Sequence, residues 1–518
     1  MEEQSNLIYS HLINRSYTVY QKIMKQLKLT LALFIIFFSS EANNNPDKSL
    51  RKFKKQAEIF AKDPSLKTAS WGFTVYNVMT GEEIISVNPD LSLIPASTLK
   101  IVTTGAALNI LGKDFRYETL LEYTGKIDDT GVLHGNIYIK GSGDPTFGSP
   151  HMNDTKPFDE IFSNWIDSVQ KLGTKEINGK VIADESVFDN ELVPREWTWE
   201  DVGNYYGAGS SGLTIRENKY TVYFEPDLTP GKPARVLKTD PPMPWIGFIN
   251  QVNTAEPNTG DNVYILGSPY SNTRWLTGTV PAGIAEFGVR GSMPDPAYFC
   301  ARHFNDLLVE NGIQISEEPT TSRIIQESYR FEPQERYTLA RHLSPPLEKI
   351  VERVNTHSVN TYAENLLKTI GLNKQGEGST KAGIKSVKEF WSNEGIDIQG
   401  LYMHDGSGLA QKNRITPQQL TDILVNLANG PQASPFLESL AVGGRTGTLS
   451  HLFGGDLSQD NLIAKSGFLS NVIGYAGYTN TKNNEFLVFV LIVNDYDGPA
   501  RMMRNKMIKL LDNISHLN

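Results

Sequence analysis

A serine and a lysine stand three residues apart in "LIPASTLKIVTTGAALNILG" (93–112), at the head of a long apolar run. On a helix, positions three apart share a face, so Lys100 lies beside Ser97 and points inward with its neighbours. Burial disfavours a charged ammonium, and a neutral amine beside a hydroxyl makes a nucleophile with its own base. Pro95 and Ala96 lead into Ser97, which puts its hydroxyl at a helix N-terminus, where free N–H groups favour developing negative charge. The same spacing recurs at Ser49/Lys52 and Ser168/Lys171. The first falls in a polar helix pattern. The second falls near the end of an amphipathic one, where a lysine suits the helix dipole. Only Ser97 has an apolar setting.

Two further stretches could complete such a site. Ser358-Val359-Asn360 precedes a helical pattern, and a hydroxyl and a carboxamide two apart in a loop can both face one cleft. One can relay a proton and the other can grip an amide. Ser and Asn are also the usual helix caps, and Ser-Val-Asn recurs at Ser86–Asn88, so the tripeptide alone is ambiguous. Lys465-Ser466-Gly467 reads as part of a strand. Its glycine allows close approach of a ligand or backbone, and its lysine offers a positive charge to a carboxylate, although edge-strand lysines also guard against aggregation. Arg445-Thr446-Gly447 looks similar but reads as lacking a preceding strand, and is set aside.

Ser-x-x-Lys, Ser-x-Asn and Lys-Ser/Thr-Gly, in that order, are the signature of penicillin-binding proteins and serine β-lactamases. With "PASTLK", "GSGDPTF", "IADESVFD", "WTWEDVGNYYGAG", "HLSPPLEKIVERVNTHSVNTYAENLL", "DGSGLAQKNRITPQQL" and "LIAKSGFLSNVIGYAGY", the chain from about residue 68 onward resembles the class C low-molecular-mass penicillin-binding proteins, a family of D-alanyl-D-alanine carboxypeptidases and endopeptidases. The resemblance implies a serine peptidase of peptidoglycan stem peptides and cross-links, acylated by β-lactam antibiotics and needing no cofactor or metal. Ser97 is then the nucleophile and Lys100 its base. Ser358 passes a proton to the leaving amine, and Asn360 orients the substrate amide and Lys100. Lys465 and Ser466 hold the terminal carboxylate, and the N–H groups of Ser97 and Phe468 form the oxyanion hole. Gly467, Phe468 and Asp144 (of "GSGDPTF") complete the implied substrate contacts.

Two departures stand out. The family's third motif is usually Lys-Thr-Gly-Thr, and here Phe468 removes the second hydroxyl. The family often carries Ser-Arg after "DGSGL", where this chain has Ala410-Gln411; "DGSGL" itself reads as a turn. Two other readings share the motifs: a serine β-lactamase, and a cell-wall or penicillin-binding module with a weak site. Rapid nitrocefin hydrolysis marks the first; acylation without turnover of any D-Ala-D-Ala peptide marks the second.

The elements that must position these residues are legible at both ends. Residues 47–62 read as a helix and 70–89 as a hairpin around a Thr-Gly turn; "NVIGYAGYTN" and "EFLVFVLIVND" read as strands before a closing helix. Strands at both termini predict one antiparallel sheet flanked by helices, an α/β (α+β) fold of the serine β-lactamase/DD-peptidase type, interrupted by a large, mostly β insert. The expected divisions are an N-terminal extension and signal over 1–42, a first catalytic part over 43–114, the insert over 115–330 in two subdomains, and a second catalytic part over 331–518. Lys22, Lys25 and Lys28 before the apolar 29–38, then Ser40 and Ala42, match a secretory signal with Met24 as a candidate start. Export to the periplasm or cell envelope follows, with peripheral membrane or cell-wall association. No cysteine near residue 42 offers a lipid anchor. A 518-residue chain of net charge −9 and pI near 5.6, without a basic stripe, excludes nucleic acid as a partner. Nine histidines never three or four apart and one cysteine leave no zinc-type spacing.

Overall fold

The run Phe486–Asn494 is apolar at all but its last position, too continuous for a strand with one face in water. A computed structural model, which describes residues 48–152, 155–328, 334–454 and 458–518, makes it an interior strand of a six-stranded sheet. The order is Ala441–Val442, Ile463–Leu469, Val472–Asn480, Phe486–Asn494, Ser70–Asn77, Glu83–Val87. Every neighbouring pair is antiparallel, so strands from the two ends of the chain lie side by side, as the pattern predicted. Residues Phe53–Asn518 form one compact unit. Of Met1–Lys52 only Lys48–Lys52 are described, as the start of the helix Lys48–Ala61, and the leader pattern of 1–42 lies outside the described residues. Among the described residues no helix is long and apolar enough to cross a membrane.

Against this sheet packs a helical layer centred on Lys100–Leu111. That helix is buried continuously from Lys100 to Leu108, because helices surround it on several sides. A helix that is apolar all round belongs in a core. Gly105 makes the packing possible: a Cβ there would stand 2.8 Å from Leu427 and 3.1 Å from the Trp391 ring. Trp391 is fully buried, and its indole N–H donates to the Val102 carbonyl at 3.1 Å.

The middle of the chain builds four smaller sheets around its own apolar cluster, together with the helices Phe158–Lys171 and Pro296–Glu310. One of these sheets pairs Glu118–Tyr123 with Tyr337–Leu343. The return to the helical layer therefore comes near Ser344, later than the boundary at 331 read from composition. A strand of mixed polarity (Tyr-Thr-Leu-Ala-Arg-His-Leu) carries no signal of which sheet it joins.

Two close approaches bring the motif segments together. A Cβ on Gly467 would lie 2.7 Å from the Pro95 carbonyl and 3.1 Å from the Ser97 nitrogen, so the third-motif strand lies directly against the turn bearing Ser97. Gly408 has φ +82°, and a Cβ there would sit 1.9 Å from the Ala96 carbonyl. Gly376 has a similar φ of +74° with nothing within 4 Å. Gly408→Ala is expected to displace the 405–410 loop and slow penicillin acylation of Ser97 by about tenfold to a hundredfold, whereas Gly376→Ala stays near the parent rate. Trp391→Ala should lower stability by about 3–5 kcal/mol, read from the denaturant midpoint.

Candidate active site

Ser97 lies in a single 3-10 turn, Ala96–Leu99, that runs straight into the helix Lys100–Leu111. Ala96 adopts a left-handed φ of 47°, uncommon outside glycine. This tight entry leaves Ser97 half-buried while Lys100 is completely buried. The two side chains do share a face: Lys100 Nζ is 3.0 Å from Ser97 Oγ. The regular helix begins at Lys100 rather than at Ser97.

Lys100 has two more partners, both at 2.6 Å: Asn360 Oδ1 and the Ser407 carbonyl. The Asn360 amide nitrogen donates to the Tyr206 carbonyl at 2.8 Å, which fixes the oxygen end toward the lysine. Both partners can only accept, so each takes an N–H from the amine. In the neutral amine the lone pair is then left facing the Ser97 hydroxyl. Burial drives Lys100 from 10.5 down to about 7, opposed by the charges of Asp405 and Glu364.

Lys465, also fully buried, donates to Ser358 Oγ at 2.9 Å and to the Ser466 carbonyl at 2.7 Å. Burial, and after it the nearby Lys100, hold its amine well below 10.5. Ser358 ends the helix Leu347–His357 with a left-handed φ of 60°, and the helix Asn360–Gln375 starts two residues later. The Ser-Val-Asn tripeptide thus turns the chain between two helices and aims one side chain at each lysine. Its look-alike at Ser86–Asn88 does something else: the Asn88 amide ties the hairpin to the Trp71 carbonyl. Ser168 merely donates to the Asn164 carbonyl of its own helix.

Ser466 donates to Thr448 Oγ1 at 2.8 Å. Phe468 is 53% exposed, with the Arg504 guanidinium 5.6 Å over its ring. Arg445 does follow a strand, the two-residue Ala441–Val442, contrary to the sequence reading, but its guanidinium pairs with the exposed Asp460. Asp144 is not brought to this cluster. It is 2% exposed, accepts from the Thr146 N–H and hydroxyl, and burial pushes its carboxyl up to about 6. Its loop docks on the helix Asn360–Gln375, where Asn365 donates to the Gly143 carbonyl.

Sequence reasoning missed the groups that hold the 405–410 loop. Glu364 accepts from the Gly406 and Ser407 N–H groups at 2.9 and 2.8 Å; burial and then the Asp405 charge push its carboxyl up to about 8. Asp405 accepts from the N–H groups of Gly408 and Ala410, from Asn413, and from the Trp197 indole. Glu364 stands one helical turn after Asn360, a spacing that marks it as inward-facing; the Trp197 and Tyr206 contacts had no local signal. Among the described residues, no group of three His, Cys, Asp or Glu could hold a metal ion.

Known proteins share this architecture. The D-alanyl-D-alanine carboxypeptidase of Actinomadura sp. strain R39 is 29% identical over 461 residues, covering 87% of this chain and 82% of that protein. The D-alanyl-D-alanine carboxypeptidase DacB of Haemophilus influenzae is 26% identical over 431 residues, covering 82% of this chain and 85% of that one. The crystal structure of Haemophilus influenzae penicillin binding protein 4 matches in fold with a TM-score of 0.75 at 24% identity, covering 89% of this chain and 98% of that chain. Residues 53–514 match the model of the D-Ala-D-Ala carboxypeptidase 3 (S13) family, and the chain belongs to that peptidase family.

Proposed function

We propose that Ser97 and Lys100 form the acylating pair of a serine D-alanyl-D-alanine carboxypeptidase and endopeptidase that cuts peptidoglycan stem peptides and their cross-links. The observation that carries this reading is the Lys100 amine, whose two N–H acceptors leave its lone pair to the Ser97 hydroxyl. Ser97 Oγ attacks the carbonyl carbon of the penultimate D-alanine while its proton passes to Lys100 Nζ. The resulting oxyanion sits between the N–H groups of Ser97 and Phe468, which the Gly467 contact keeps close. The C–N bond then breaks, and the leaving amine takes a proton from Ser358, resupplied by Lys465 at 2.9 Å. Water then attacks the ester, its proton passing through Ser358 back to Lys465, and Ser97 Oγ leaves with the proton held on Lys100, which restores both lysines and the hydroxyl.

The two buried lysines repel one another, which is why a substrate carboxylate matters. A negative charge arriving at Lys465 and Ser466 favours the charged form of Lys465, and that charge in turn favours neutral Lys100. Binding thus helps to switch on the base. Haemophilus influenzae penicillin binding protein 4 has been crystallised in complex with a β-lactam, and the same chemistry makes β-lactams acylating inhibitors here. The leader pattern over 22–42 supports export to the cell envelope.

Labelled penicillin should attach to the parent protein and not to Ser97→Ala; label retained in that variant overturns the assignment. Because the neutral form of Lys100 is the base, kcat/KM for acylation should fall as pH drops through about 7. A limb displaced to the ordinary lysine range would show that Lys100 is not the base. Phe468 offers a ring where relatives offer a hydroxyl. A hydrogen bond to a charged group contributes about 1.5–3 kcal/mol, so its loss should weaken recognition of a free terminal D-alanine by roughly tenfold or more and favour cross-link cleavage. Phe468→Thr should shift the kcat/KM ratio toward a pentapeptide monomer and away from a cross-linked dimer.

A further inference from the structure

The insert presents a sheet face that the catalytic chemistry does not use. Its strands run in the order Gly247–Ala255, Thr273–Pro281, Asn262–Leu266. Their burial alternates, with Val252, Val263, Ile265 and Leu276 turned into the insert core. On the outward side the register sets Ile249, Trp275 and Leu266 in one row and Gln251, Thr277 and Tyr264 in the next. A third row is a threonine between two asparagines. Trp275 is 50% exposed and Tyr264 49%.

The composition of this face is selective. Arg274 is the one charged residue on the three strands, and it is turned inward, its guanidinium bonded to the carbonyls of Ser268, Ser271 and Thr273. The outward side of these three strands therefore carries two aromatic rings, the aliphatic Ile249 and Leu266, amides and hydroxyls, and no charged residue. Exposed apolar side chains set in adjoining rows, rather than scattered singly, are the kind of surface that marks a binding site. Rings stack on the C–H faces of pyranoses, and carboxamides and hydroxyls both donate to and accept from sugar hydroxyls and acetamido groups. A protein or lipid surface rich in charge finds no complement here; a neutral polysaccharide does.

The face is also joined to the cleft. The N–H of Ile265, in the strand Asn262–Leu266, donates to the Asn204 side chain at 3.2 Å, and a Cβ on Gly203 would lie 1.8 Å from the Ile265 carbonyl. Two residues beyond Asn204, the Tyr206 carbonyl takes the hydrogen bond from Asn360. One short segment thus links the sheet to the carboxamide that faces Lys100.

We propose that this outward face binds an uncharged polymer of N-acetylated aminosugars, the glycan strand that carries the stem peptides. The proposal rests on the peptidoglycan reading for its choice of polymer, but not on the cleavage step. The test uses the full chain with two uncharged probes, a β-1,4-linked N-acetylglucosamine tetramer and the corresponding hexamer, each titrated calorimetrically. Both should bind the parent protein, with affinity about tenfold weaker in Trp275→Ala and in Tyr264→Ala and largely retained in Trp275→Phe. Penicillin acylation and release of D-alanine from a soluble pentapeptide should be unchanged in all three variants, while release from intact sacculi falls in the alanine variants. Failure of both probes to bind, or equal binding by parent and Trp275→Ala, overturns the proposal. So does sedimentation showing that the parent self-associates and Trp275→Ala does not, since the face then belongs to a second copy. Glycan binding without peptide cleavage would sink the catalytic reading and leave this one standing.

Discussion

The structure is organised around one buried amine. Lys100 Nζ lies where water does not reach, within hydrogen-bond distance of Ser97, Asn360 and the Ser407 carbonyl. An ammonium there carries a large desolvation cost, and a neutral amine still needs its N–H groups satisfied. The three partners come from segments more than two hundred residues apart or separated by a whole helix. The fold must therefore hold three distant pieces of chain to within tenths of an ångström. Asp405 and Glu364, whose charges favour the protonated form, keep the amine from losing basicity altogether, which leaves it near neutrality rather than far below.

Those two carboxyls also build the platform that presents the Ser407 carbonyl. Between them they accept from four backbone N–H groups of the 405–410 loop, so a segment that resembles an ordinary turn becomes rigid. Rigidity is completed from the insert, because Trp197 donates to Asp405 and Tyr206 receives Asn360. The insert is thus a wall of the site as well as an added body. Left-handed backbone at Ala96 and Ser358, both non-glycine, shows where the fold holds conformations that cost of order 1–3 kcal/mol each to place a hydroxyl.

The second lysine gives the site its directionality. Among the described residues no carboxyl charge acts on Lys465 as Asp405 and Glu364 act on Lys100, and its contacts are a hydroxyl and a carbonyl. An anionic substrate end is the natural complement to that deficit. Beside it Phe468 is exposed under Arg504, while Ser466 donates to the hydroxyl of Thr448, in the stretch that mimics the motif. The decoy sequence therefore borders the site, although its arginine is spent on Asp460.

The amino-acid sequence by itself determined that Ser97 and Lys100 lie side by side, because an (i, i+3) pair in an apolar run is a local relation that survives any tertiary arrangement. It also determined the shared sheet of the two termini, since continuous apolar strands have few ways to be buried on both faces, and the order of the motifs along the chain singled out Ser358, Asn360 and Lys465, which the fold gathers around Lys100. What only the tertiary structure decided were contacts between residues without local pattern. These are the Ser407 carbonyl on Lys100, the carboxyls of Glu364 and Asp405 under the loop, the burial of Asp144, and the strand Tyr337–Leu343 joining the insert. Backbone carbonyls have no sequence signature, and a buried carboxylate reads like any other acidic residue until its donors are in place. Long-range packing selects these partners, and spacing along the chain does not encode it.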